Sequence, residues 1–395
     1  MTLDLTGKNF CGSKILAGQA SWLGRVGRLD YSPALYRSLI APISRKPKMA
    51  ETMKALVKAK SEVGIWMEDV PIPKIEPNEV LIRVNRTSIC GTDMHIYKWD
   101  KWAQANVPVP MVTGHEYGGE VVEIGSTVRR VKVGQRVSGE GHVVGNVSRN
   151  ARSGRWHLDP DTKGIGVNLP GAFAEYIRLP EFNVIPLPDD LSMDIAAILD
   201  PLGNAVHTAL TFDLVGEDVL ITGAGPIGIM SAVVASRAGA RRIVITDINE
   251  WRLKFAKQIN PAVHTVNVLN ESLTDKMKSI GIKEGFDVGF EMSGAEPAFS
   301  QMVDTMIMGG NIAMLGLPPE PFPVDLGKIA LKALTLRGIY GRQMYDTWYK
   351  MLAMIDSGMD LSGLITHHFD CEKYQDAFDV MLGGQCGKVI LNWND

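Results

Sequence analysis

Cysteine is scarce in this chain of 395 residues, with only Cys11, Cys90, Cys371 and Cys386. The four are scattered without a disulfide spacing. That excludes a disulfide-stapled secreted scaffold and predicts a reducing compartment. Charge of one sign is equally scarce. The formal net charge is −3, which leaves no basic face for nucleic acid. Internal repeats, low-complexity tracts and long blocks of like charge are missing too. One uncharged run, Val219–Ser236, is long enough to suggest a membrane span. It holds three glycines and a proline in a strand-to-helix pattern, so a buried βα unit is expected and no membrane partner. What is present is the charged and apolar balance of a soluble globular protein, at a length that predicts two or three domains.

The chain is organised around Val219 to Asn249. Val219–Thr222 is a β-branched apolar run and reads as a buried parallel strand. Gly223, Gly225 and Gly228 follow as G-x-G-x-x-G, then a small, apolar helix over Ile227–Ala238, then a second strand over Arg242–Thr246 closed by Asp247. This is the dinucleotide fingerprint in its required context. The first glycine permits the tight turn, and the second lets backbone approach a pyrophosphate at the helix N-terminus. The third lets helix and strand pack closely. Asp247 is placed to accept from both adenosine ribose hydroxyls. A 2′-phosphate would meet its charge, so NAD is expected over NADP.

Residues 1–52 read as an extension. They carry eight Lys/Arg against Asp4, Asp30 and Glu51, with no sustained amphipathic period. A mitochondrial transit peptide, a disordered tail and a misplaced start codon, with Met49 or Met53 as the start, all fit. The location is the mitochondrial matrix in the first case and the cytoplasm otherwise. From Met53 short strand-like runs such as Lys54–Lys60, Val80–Arg86 and Tyr117–Ile124 alternate with Pro, Gly and Asn turns to about Pro188. Asp194–Leu214 reads as one helix. Strands and helices then alternate to Tyr340, and Lys388–Trp393 reads as a last strand returning to the β-rich half. The fold class is α/β.

Three stretches concentrate reactive groups: Cys90-Gly91-Thr92-Asp93-Met94-His95, Gly114-His115-Glu116 and Asp200-Pro201-Leu202-Gly203-Asn204. Thiolate, imidazole and carboxylate are the usual zinc ligands, and a catalytic zinc keeps three of them with one open position. A hydroxyl at Thr92 and an imidazole at His95 supply a proton route to water.

CGTDMH, GHEYGGEV and GAGPIG, in this order, resemble the zinc-containing medium-chain dehydrogenase/reductase family. GIWMEDVPIP, SGEGH, DPLGNAVHTALTFDLVGEDVL and GIYGRQMYDTWYKM are similar to the branch of that family that acts on L-threonine. The resemblance implies a GroES-like catalytic domain from 53–204 and 343–395 around a Rossmann NAD-binding domain at 205–342. It implies Cys90, His115 and Glu116 as zinc ligands, Thr92 and His95 as the proton relay, and Asp200 as a further catalytic residue, a nearby carboxylate that tunes the metal or relays protons rather than staying bound to it. Ile227, Asp247, Arg252, Leu315, Gly316, Leu317, Ile339 and Tyr340 match NAD contacts, and His142 matches a histidine near the substrate. The implied reaction takes hydride from the β-hydroxyl carbon of L-threonine to NAD, in a homotetramer. Rival readings are a polyol or 2,3-diol dehydrogenase and a non-catalytic nucleotide-binding relative.

One departure stands out. The branch carries a second, structural zinc on four cysteines, and the corresponding positions here are Gly145, Ser148, Ala151 and Asp159. One zinc per subunit is therefore expected. Ion pairs of Arg149, Arg152 and Arg155 with Asp159 and Asp161 are expected to help hold that lobe, which should be mobile.

Overall fold

A computed structural model describes residues 51–394. The expectations for the leader fall almost wholly on 1–50 and lie outside the described residues. No helix among the described residues is long and apolar enough to cross a membrane. The uncharged run at 219–236 divides into strand Asp218–Thr222 and helix Pro226–Arg237.

Two sheets dominate. The first has strand order Val184–Pro186, Arg136–Gly139, Glu116–Ile124, Glu79–Ser88, Lys388–Asn392, Ile365–Asp370, with Tyr176–Pro180 added on Glu79–Ser88. The last strand does return: Ile390 pairs with Ser88 and Leu391 with Thr87, antiparallel. A smaller sheet, Trp66–Pro71, Thr52–Lys58 and Met111–Val112, covers one side. The second large sheet is wholly parallel, in the order His264–Asn267, Arg242–Asp247, Asp218–Thr222, Phe286–Glu291, Met306–Met314, Thr335–Gly338. Its order reverses between Asp218–Thr222 and Phe286–Glu291, the point where doubly wound sheets bind dinucleotides.

Between the sheets runs helix Leu199–Ala209, with ten of its eleven residues buried. Its Leu202, Ala205 and Val206 share one apolar cluster with Leu187 and Ile390 on one side and Val219 and Ile229 on the other. The expected single helix at 194–214 is instead two, Met193–Ala197 and Leu199–Ala209, parted at Ile198. Pro201 explains the break. It has no N–H for a carbonyl four residues back and would clash with it. The helix therefore restarts so that Pro201 falls in its first turn.

Candidate active site

Cys90 follows the central strand Glu79–Ser88 and is the N-cap of helix Gly91–Lys98. Asp93, at the third helical position, reaches back to accept from the Cys90 amide at 2.9 Å and fixes the turn. Strand Glu116–Ile124 lies alongside, with Glu116 in register with Ser88. That register brings 115–116 beside Cys90. The Cys90 Sγ, a His115 ring nitrogen and a Glu116 oxygen all lie within 4.8 Å of one another.

The donor set fits zinc. Glu116 Oε1 is buried and has no hydrogen-bond partner, and buried His115 Nδ1, 3.8 Å from Asp93 Oδ1, makes no hydrogen bond either. Such orphaned polar atoms are costly unless something binds them. Glu116 Oε2 is held by the buried ammonium of Lys388 at 2.6 Å, which also donates to Ile89 O at 3.1 Å. Burial alone would lower the His115 imidazole, but the Cys90 thiolate and Asp93 carboxylate outweigh it and raise its pKa well above the ordinary value. The cluster is thus a negative well suited to a cation.

Asp200 stands beside this cluster and is bound elsewhere. Arg342 Nη1 lies 2.6 Å from Asp200 Oδ2, and the same guanidinium donates from Nε to Glu140 Oε2 at 2.8 Å and from Nη2 to Oε1 at 2.5 Å. Trp348 Nε1 also donates to Glu140 Oε2 at 2.8 Å. Arg342 and Glu140 are fully buried. Burial alone would raise the Glu140 carboxyl, yet Arg342 holds it far below the usual carboxylate range. His142 Nδ1 sits 2.7 Å from Glu140 Oε1. Arg342 Nη2 lies 3.0 Å from the same Nδ1, so a carboxylate that only accepts and a guanidinium that only donates both face this ring nitrogen and together fix the ring's position. The ring lies 5.7 Å from that of Tyr340.

Thr92 Oγ1 is 3.9 Å from Cys90 Sγ. His95, three residues on and so on the same helix face, is more exposed. Its Nδ1 lies 2.5 Å from Asp100 Oδ2.

The fingerprint glycines have the geometry their roles need. Gly223 has φ +94°, a Cβ on Gly228 would lie 2.0 Å from Gly223 O, and a Cβ on Gly225 would meet nothing within 4 Å. Gly225 is thus the open cradle, at the N-terminus of helix Pro226–Arg237. Asp247 Oδ2 accepts from Ala224 N at 2.7 Å, which ties the end of the second strand to the glycine turn. A cavity of about 330 Å³ brings both halves together: Cys90, Glu116 and Lys388 line it with Gly225, Ile227 and Arg252. Leu315 and Gly316 follow strand Met306–Met314, and Ile339 and Tyr340 follow Thr335–Gly338, at the same carboxyl edge of the sheet. Leu317 is 87 % exposed there. A larger cavity, about 410 Å³, lies by Met53, Val70 and Leu169 and is lined by none of the ligating or nucleotide residues.

The lobe without cysteines is held differently from the expectation. Among the described residues no ion pair joins Arg149, Arg152 or Arg155 to Asp159 or Asp161. Asp159 is buried, and its Oδ2 accepts from Gly145 N at 2.7 Å and Asn146 N at 3.2 Å. Backbone amides of the turn reach the carboxylate first, so the arginines remain on the surface. Trp156 packs edge-on to Phe182, and buried His157 lies edge-on to His207 at 5.7 Å.

An alcohol dehydrogenase GroES-like domain model matches residues 76–189, and a zinc-binding dehydrogenase model matches 226–357. The chain belongs to the zinc-dependent medium-chain dehydrogenase/reductase family. It is 58 % identical over 341 residues to an L-threonine 3-dehydrogenase of Ruegeria pomeroyi, covering 86 % of this chain and all of that one. It is 59 % identical to an L-threonine 3-dehydrogenase of Rhizobium etli, over 87 % of this chain and all of the relative. Among solved structures it resembles 2R,3R-butanediol dehydrogenase from Bacillus subtilis, with a TM-score of 0.78 at 25 % identity over 87 % of this chain and all of that one. This chain is thus an oxidoreductase of the zinc alcohol dehydrogenase type.

Four residues of this dehydrogenase's site were not singled out in the sequence: Glu140, Arg342, Lys388 and Asp93. Glu140, Arg342 and Asp93 lie inside quoted segments, SGEGH, GIYGRQM and CGTDMH, but nothing in the spacing of the first two links them.

Proposed function

We propose that the chain is an NAD-dependent L-threonine 3-dehydrogenase that oxidises the β-hydroxyl of L-threonine to give L-2-amino-3-oxobutanoate and NADH, a step of threonine catabolism. One observation carries the reading: Cys90 and Glu116, two members of the cluster with His115, line the same cavity as Gly225 and Arg252 of the nucleotide cradle. The close identity to threonine dehydrogenases over their full length supports the substrate.

Cys90, His115 and Glu116 would hold one zinc, and the fingerprint glycines, Asp247 and Arg252 would hold NAD. When bound, these groups supply a Lewis acid that lowers a hydroxyl pKa and an acceptor for hydride. The chain supplies the rest. Lys388 and Asp93 fix the ligands, and the Arg342 network fixes Asp200 beside them. Thr92 and His95 take the hydroxyl proton outward. His142 stands near the substrate, with its ring oriented by Glu140 and Arg342.

Asp247 selects NAD over NADP by charge. The lobe holds no second zinc: Gly145 and Ala151 bring no ligand, and Asp159 already serves backbone amides. The subunit assembles as a homotetramer. The strand Thr335–Gly338 is an open sheet edge, and Leu317, Leu326 and Leu331 near it are 87, 72 and 81 % exposed, a surface that asks for cover. The three cysteines among the described residues are free, as in the cytoplasm or the mitochondrial matrix. NADH formation with L-threonine beside 2,3-butanediol and sorbitol is the test. L-threonine should give the highest kcat/KM, and a diol that outruns it would replace the reading.

A further inference from the structure

The link between the first two helices of the catalytic domain has an unusual shape. Helix Gly91–Lys98 ends at Trp99, which sits in the left-handed region at φ 52°, ψ 47°. A bulky residue pays strain there, and such strain persists only where surroundings enforce it. Lys58 Nζ lies 4.8 Å from the Trp99 ring centre and braces it. The turn makes Asp100 the N-cap of the next helix, Lys101–Asn106. It also folds Asp100 back onto the preceding helix, where its amide donates to His95 O at 3.4 Å.

The two carboxylate oxygens of Asp100 then have separate duties. Oδ1 accepts from the Ala103 amide at 3.0 Å, as an N-cap does. Anchored there, the group can present Oδ2 in one direction, and it meets His95 Nδ1 at 2.5 Å. Trp102, on the same short helix, places its ring 6.0 Å from the imidazole. An N-cap alone needs one oxygen and no histidine. An ion pair alone needs no cap. Together they form a fixed acceptor for a fixed imidazole.

We infer that Asp100 is a positioning residue for the proton relay, holding His95 as the Nδ1–H tautomer so that Nε2 is the proton acceptor. The inference rests on the relay reading of Thr92 and His95. One proton enters and one leaves: the substrate hydroxyl gives its proton to Thr92 Oγ1, Thr92 passes its own to His95 Nε2, and the imidazolium, neutralised by Asp100, releases a proton from Nε2 to water. Only O–H and N–H bonds change. The His95 side chain is 57 % exposed, so its outer end can reach solvent. An aspartate behind an imidazole has the same two uses in hydrolase triads: it selects the tautomer and stabilises the cation.

The informative variant is Asp100→Asn. Asparagine caps helices as well as aspartate, so the helix stays, but its amide would present a donor to Nδ1 and favour the opposite tautomer. Turnover with L-threonine should fall about 10- to 100-fold, less than the roughly 100- to 10,000-fold that one acid–base group supplies because Asp100 only positions that group, while KM and NAD affinity change less than about twofold. The independent readout is nitrogen-15 NMR of the full-length enzyme labelled at histidine, above pH 8, with the His95 signals assigned by their loss in His95→Asn. The protein should carry the proton on Nδ1, and Asp100→Asn should move it to Nε2. An Nε2–H tautomer in the unaltered enzyme, or an Asp100→Asn enzyme with full turnover or an unchanged tautomer, overturns the inference. The His95→Asn enzyme separates the two failures. If it loses turnover while Asp100→Asn does not, the relay stands and Asp100 has no part in it. If it turns over normally, the relay reading itself falls.

Discussion

Arg342 and Asp200 meet at 2.6 Å in the interior of this dehydrogenase, and Arg342 spends its remaining edge on Glu140. One guanidinium therefore neutralises two carboxylates from different elements: Glu140 after strand Arg136–Gly139, and Asp200 in helix Leu199–Ala209. Arg342 itself follows the last strand of the nucleotide sheet. Asp200, His142 and the segment after the last strand of the parallel sheet thus share one ion network.

Arg342→Met should unfold this arrangement. Removing one partner of a buried network leaves uncompensated charge and costs about 3–5 kcal/mol. Urea unfolding should show that loss. Arg342→Lys should recover only part of it, because a lysine cannot donate to both Glu140 oxygens while reaching Asp200. A fully stable Arg342→Met protein would mean that the carboxylates are protonated or hydrated.

The lobe of 142–169 should report on pH. Burial lowers the His157 pKa to about 4, with His207 adding to the effect. The folded state therefore prefers neutral His157, and the unfolded chain binds more protons between about pH 6.5 and 4. The stabilisation is present above pH 6.5 and is lost as pH falls toward 4. It amounts to on the order of 2–3 kcal/mol. Glu140, Arg337 and Arg155 also face this imidazole. Urea unfolding at several pH values should show a slope in this window that His157→Phe flattens. Equal slopes in both proteins would place the dependence elsewhere.

Asp247→Ala should weaken NAD binding and narrow the gap to NADP, as the proposed role of its carboxylate, accepting from ribose hydroxyls and repelling a 2′-phosphate, requires. Fluorescence titration with both dinucleotides measures it. An unaltered enzyme that reduces NADP as efficiently as NAD would contradict the assignment.

Much of the site was legible because its parts are local. The Cys90 to His95 run, His115–Glu116 and the Gly223–Asp247 fingerprint are each contiguous, and the chemistry of their residue types limits what they can do. What escaped reading is set by tertiary distance. Glu140 and Arg342 are 202 positions apart, and Glu116 and Lys388 are 272 apart. No periodicity relates such pairs. The break at Ile198 was readable from Pro201 in hindsight, but helical patterning on both sides masked it. At the lobe, proximity in sequence suggested arginine–aspartate pairs, whereas the turn offers Asp159 nearer donors in its own backbone.

Zinc per subunit in purified, active enzyme bears most directly on the site. Elemental analysis should give one zinc, lost together with turnover in Cys90→Ser while NAD still binds to the other domain. Two zinc ions per subunit, with one retained after Cys90→Ser, or turnover that survives in zinc-free Cys90→Ser protein, would contradict the assignment of Cys90, His115 and Glu116.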